Sequence, residues 1–159
     1  GEGVRKAVAL ALLLVATPLW ARERLGAWQS WAAFEDPETP RCYAIGAPEE
    51  SSGTGGYVSV GFWPKKRIGH QVYVRLSKPR SPNSGISLNV GGRRFRLVAR
   101  SDSGLSPNRQ TDLAIIAAIR SSSALSVEST GRDGRAIIDA YATRGAASAI
   151  DAAALGCAD

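Results

Sequence analysis

Between positions 57 and 100 apolar and polar residues alternate with a period of two. Val58, Val60 and Phe62 alternate with Tyr57, Ser59, Gly61 and Trp63, and Val72, Val74 and Leu76 with Tyr73, Arg75 and Ser77. Ile86, Leu88 and Val90 then answer Phe95, Leu97 and Ala99 across Gly91-Gly92. Successive side chains of a strand point to opposite faces, so each run buries one face and exposes the other. Gly-Gly supplies the positive φ angles of a tight primed turn. The stretch therefore predicts four antiparallel strands, and with them a mainly β chain: an antiparallel β-sandwich or barrel-like domain carrying two short helices.

Charge follows the same stretch. Residues 57–100 hold ten Lys or Arg and no Asp or Glu. Residues 22–64 carry three bases against six acids, and residues 101–159 five against seven, so the positive charge is confined to the central sheet. Arg94, Arg96 and Arg100 share one strand parity, and Arg75 has the solvent parity of its own strand. These four guanidiniums are expected on one exposed sheet face, where planar donor forks suit carboxylates and phosphates. The competing reading is a solvated face whose charges prevent edge pairing.

Val4-Arg5-Lys6 followed by the apolar run at 7–15 has the charged start and short hydrophobic core of a secretory signal. Cleavage is expected after Ala21, with cleavage after Ala16 or an uncleaved short anchor as the alternatives, leaving residues 22–159 as a single domain. The run is too short for a membrane span, which needs about 20 apolar residues. Cys42 and Cys157 are the two cysteines of the chain. In an exported protein their number and compartment predict a disulfide. A metal site or catalytic thiol finds no support: there is no CxxC, and the one histidine, His70, is far from both in sequence.

Elsewhere, Trp28 and Trp31 read as core or sheet-edge aromatics. Pro37 and Pro40 mark a turn, after which residues 41–46 resume a strand bearing Cys42. The Gly-rich loop at 47–56 leads into a strand and lacks a following Lys-Ser/Thr, so it does not cradle phosphate. A short helix is expected over 112–120, with Thr111 as N-cap and Asp112 in its first turn. Residues 125–130 and 135–142 form a second hairpin around 131–134. The Ala-rich segment 145–155 reads as a closing helix stopped by Gly156.

Catalytic constellations are scarce. His70 stands in an expected loop beside Lys65, Lys66 and Arg67, which disfavour its protonated form. A triad through His70, Asp112 and a serine lacks a G-x-S-x-G elbow. Glu49-Glu50, Asp133 and Asp139 read as solvated loop and turn charges.

Taken in order, these landmarks resemble the invasion-associated locus B family of bacterial exported proteins. The likeness rests on the leader, the early Trp, Cys42 after a Pro turn, the I-x-L-x-V-G-G-x-x-F-x-L hairpin at 86–97 and the T-D-x-x-I-I-x-A-I segment at 111–119. It extends through the hairpin ending near Tyr141 and the Ala-rich segment to Cys157. The resemblance implies a β-sandwich-like secreted or periplasmic domain, a family disulfide at Cys42 and Cys157, and no established enzymatic chemistry. Function does not transfer with the fold. The expectation is a monomeric, non-enzymatic binding module, without cofactor or metal, whose Arg75, Arg94, Arg96 and Arg100 meet an anionic envelope component or an acidic protein. Its compartment disfavours nucleic acid. The alternative is a small exported hydrolase with a site near His70.

Overall fold

The period-two segments form strands where their apolar parity predicts them. The computed structural model describes residues 22–158, so the leader expected over residues 1–21 lies outside the described residues. The strands are β1 Glu23–Trp28, β2 Trp31–Asp36, β3 Arg41–Gly46, β4 Tyr57–Trp63 and β5 Ile68–Arg75, followed by β6 Ile86–Val90, β7 Arg93–Arg100 and β8 Ser103–Leu105. Helix α1 (Arg109–Arg120), β9 (Ala124–Thr130), β10 (Ala136–Ala142) and α2 (Ala146–Gly156) complete the order. The strands make one curled antiparallel sheet in the order β1-β2-β3-β4-β5-β8-β7-β6-β9-β10. Of the two architectures expected, the barrel-like one is present.

The inner face is apolar. Val58, Val60, Val72, Val74, Ile86, Leu88 and Val127 are fully buried, and Phe95 and Leu97 are buried beside them. Each such side chain contributes roughly 1.5–3 kcal/mol by leaving water. Ile115, Ile116 and Ile119 of α1 and Ala149, Ile150 and Ala153 of α2 join the same core. α2 lies on β1, β2 and β3, and α1 lies mainly on β5. The ends of the curl are tied together: the Trp31 indole N–H donates to the Ala142 carbonyl at 2.7 Å, and Glu50 bridges Ala140. That bridge brings the 47–56 loop against β10, the outermost strand, and so covers a sheet edge. Cys42 and Cys157 are bonded, with Cα atoms 5.8 Å apart, which pins the end of α2 to β3.

Four local expectations are corrected. The N-cap of α1 is Asn108, not Thr111: the Asn108 side-chain oxygen accepts the Thr111 N–H at 2.8 Å, and the helix starts at Arg109. Asn is among the strongest N-caps, and it captured the first turn ahead of Thr111. His70 lies in β5 rather than in a loop. There the β4–β5 register shifts between Gly61 and Trp63, and His70 takes φ 58°, the left-handed kink of a bulged residue. Ala99 does not face β6; Val90 pairs with Arg93 across the Gly91-Gly92 turn, leaving Ala99 to pair with Gly104 of β8. Gly156 belongs to the last turn of α2, and Cys157 follows as the cap.

Candidate functional site

Strand register places all four predicted arginines on the outer face of the sheet. In β7, Arg94, Arg96 and Arg100 are exposed while Phe95 and Leu97 between them are buried. Short β8 then inserts between β7 and β5, so Arg100 and Arg75 both pair with Ser103. Paired residues of neighbouring strands project to the same side, and two strand spacings separate Arg75 from Arg100, about 10 Å. Among the described residues, neither Arg75 nor Arg100 has an acidic partner within ion-pair distance. Exposed Val98 and Leu105 lie in the adjoining row, where they pair.

The other two arginines meet a different environment. Arg94 and Arg96 line a cleft of about 250 Å³ with Ser84, Ser87 and Glu128. The Arg94 guanidinium approaches the Asn89 side-chain oxygen at 3.4 Å, and Asn89 donates to Glu128, which also accepts from the Ser126 hydroxyl at 2.7 Å. A carboxylate therefore shares the cleft with these two arginines. Arg75 and Arg100 form the end of the face without one.

A second feature on the outer face escaped the sequence reading. Arg41, Tyr43 and Ile45 of β3, Tyr57, Ser59, Gly61 and Trp63 of β4, and Gln71 and Tyr73 of β5 enclose a cleft of about 560 Å³ with Arg22. Its shape follows from register. Small Gly61 lies between Tyr43 and Gln71, and small Ser59 between Ile45 and Tyr73, so the middle strand is low where its neighbours are tall. Trp63 lies down over Gly61: a methyl group added there would come within 2.5 Å of the indole. The Tyr57 and Tyr73 rings stand 5.9 Å apart at 35°. The Arg41 guanidinium sits 4.4 Å over the Tyr43 ring and bonds Asp36 at 2.8 Å. Arg22 sits 4.7 Å over Phe34 and donates to the Tyr43 hydroxyl at 2.7 Å. Partial burial, and then the neighbouring Tyr73, hold the Tyr57 hydroxyl above its ordinary pKa. The signal was present in the sequence, since Tyr57, Trp63 and Tyr73 all have the outward parity.

His70 packs edge-on against Phe62, with ring centroids 4.8 Å apart. Burial lowers its pKa, and the charges of Arg109 and Arg120 lower it further. Asp112 lies in the first turn of α1 as expected, and there its side chain is buried and accepts the Val72 N–H at 2.9 Å. Burial raises its pKa, against the lowering effect of that hydrogen bond and of the nearby Ser106 side chain. His70 lines neither cleft described above.

The reading of Asp139 as a solvated charge is overturned. It is 0% exposed and accepts from the Ser77 N–H at 2.9 Å, the Ser77 hydroxyl at 2.6 Å and the Ser52 N–H at 3.1 Å. It clamps the 47–56 loop and the end of β5 onto β10. Asp133 does lie at the surface, where its 2.7 Å bond to Lys78 keeps its carboxyl below the usual range. Glu35 lies near Cys42 and Cys157, all three offering atoms within 4.8 Å, but the two sulfurs are spent on each other. Among the described residues, no helix is long and apolar enough to cross a membrane. No family model, curated protein or solved structure matches this chain.

Proposed function

We propose that the protein is an exported, non-enzymatic binding module of the bacterial envelope whose basic sheet face holds an anionic partner. The observation carrying this reading is the Arg75–Ser103–Arg100 row: two exposed guanidiniums on rigid, paired strands with no carboxylate between them. A preformed pair of donor forks loses little entropy on binding and matches a phosphate or carboxylate in geometry as well as charge. Arg94 and Arg96 extend the face, though there an incoming anion competes with Glu128. The Cys42–Cys157 disulfide is compatible with an oxidising compartment, and the leader-like sequence and the resemblance to the invasion-associated locus B family support the same placement.

Anionic lipid vesicles and an acidic polysaccharide distinguish the two envelope chemistries, with a synthetic acidic peptide representing a protein partner. Binding of one of them that weakens steadily with added salt supports the reading, because exposed charges are screened within about 8–10 Å at physiological ionic strength. Absence of binding to all three at low salt would contradict it.

A further inference from the structure

We propose that the outer-face cleft between β3 and β5 is a saccharide site that seats a uronate-bearing ring against Trp63, Tyr57 and Tyr73. The inference goes beyond the arginine face, since none of Arg75, Arg94, Arg96 or Arg100 lines this cleft. Its volume of about 560 Å³ falls within the range of small-molecule sites, about 300–1,000 Å³.

The chemistry of the lining selects the ligand class. Aromatic side chains ordinarily go to the core, yet here two tyrosines and a tryptophan stand half-buried on the solvent side of the sheet. Flat π faces receive a ligand that is itself flat and carries C–H groups on one side, and a pyranose ring has that form. Polar atoms are distributed among the rings: the Gln71 amide and the Ser59 hydroxyl project from the same face, in the cross-strand rows of Gly61 and Tyr73. A ligand with hydroxyls around an apolar ring satisfies both kinds of surface. The guanidiniums of Arg22 and Arg41 lie on the β3 side of the cleft; Arg41 is already bonded to Asp36, so a carboxylate on the ring gains its charged partner in Arg22, which has no acidic partner within ion-pair distance among the described residues.

A peptide fits less well. The cleft lies over β3, β4 and β5; β3 and β4 are each paired on both sides and β5 is paired to β8 over Tyr73–Arg75, so the backbone donors and acceptors by which an extended peptide is held at a sheet edge are largely used. A proline-rich segment needs only an aromatic groove, and it is therefore the rival to be measured.

The test is calorimetric titration of the protein with tetragalacturonate, with tetraglutamate and a proline-rich peptide as comparisons, and intrinsic fluorescence as a second readout. Saturable binding of tetragalacturonate with a change in tryptophan emission is expected, and Trp63→Ala should weaken it roughly tenfold, the scale of one aromatic contact. Ser59→Tyr, which fills the floor with a strand-compatible residue, should abolish it and guards against misfolding of the Trp63 variant. Arg94→Gln/Arg96→Gln, in β7 and outside the lining of this cleft, should change this affinity by less than about threefold, which separates the cleft from that part of the arginine face. Failure of folded wild type to bind tetragalacturonate overturns the proposal. So does equal binding of tetraglutamate, which would make charge alone sufficient, or tighter binding of the proline-rich peptide.

Discussion

Arg75 and Arg100, twenty-five positions apart in the chain, share one cross-strand row because each is paired with Ser103. The short strand β8 creates this relationship. Without it β7 would not be joined to β5, and the arginines of the two strands would lie on separate sheets. Position on one rigid face would let two guanidiniums act on a single anion.

The two parities of β7 should separate cleanly in stability. Phe95 is 8% exposed, with Arg93 4.9 Å above its ring, so Phe95→Ala is expected to cost about 3–5 kcal/mol. Arg94→Gln/Arg96→Gln on the exposed parity should stay within about 0.5 kcal/mol per site. Urea midpoints at constant m-value measure both.

The disulfide links positions 115 residues apart. Closing a loop of that length stabilises by about 4–5 kcal/mol in the chain-entropy model. Cys42→Ser/Cys157→Ser should therefore unfold at much lower urea, and free-thiol titration of the unreduced native protein should find none.

Asp139 holds three hydrogen bonds with no exposure to water. Asp139→Ala leaves the Ser77 and Ser52 N–H groups without their acceptor and should cost about 3 kcal/mol. Amide hydrogen exchange should show the loss first in the 47–56 loop, which this carboxylate anchors to β10.

His70 gives the pH dependence its sign. Its folded pKa lies below the ordinary value of about 6.5, so on acidification the unfolded chain takes up the proton first. The contribution of His70 is present above about pH 6.5 and is lost as pH falls through that value toward the folded pKa. Asp112, with its pKa raised, works in a lower window: its contribution declines as pH rises from about 3.9 toward its folded value. His70→Asn, which tolerates the left-handed φ of 58°, should flatten the stability profile on the acid side of about pH 6.5 and, by removing an imidazolium that lowers the Asp112 pKa, extend the Asp112 window upward. Denaturation at a series of pH values reads the difference directly.

Much of the fold was legible because period-two alternation is a local signal. Val58, Val72, Leu88 and Phe95 each announced an inward face from their neighbours alone, and all four are buried. The Cys42–Cys157 bond followed from the number of cysteines and the compartment expected for the chain. What local reading missed was set by distant partners. Asp139 looks like a turn charge until Ser52 and Ser77 arrive from other elements to bond it. His70 looks like a loop residue because its bulge is defined by the register against Gly61 and Trp63. The aromatic cleft needed three strands side by side, with Gly61 and Ser59 low in the middle one, before outward parity became a concave surface. Parity likewise put the four arginines on one face but could not place Glu128 in the cleft that Arg94 and Arg96 line, since β9 reaches that cleft only through its pairing with β6.

The most direct test of the proposed function compares wild type with Arg75→Glu/Arg100→Glu in binding to anionic vesicles, to an acidic polysaccharide and to an acidic peptide across a salt series. Both residues are exposed, so the variant should fold with a urea midpoint close to wild type. At low salt it should lose at least about tenfold in affinity for the anion that wild type prefers, and the salt dependence of the remaining binding should flatten. Equal affinity of variant and wild type for all three anions, or no binding by wild type, would contradict an anion-holding role for this face and leave its arginines as solvated charge.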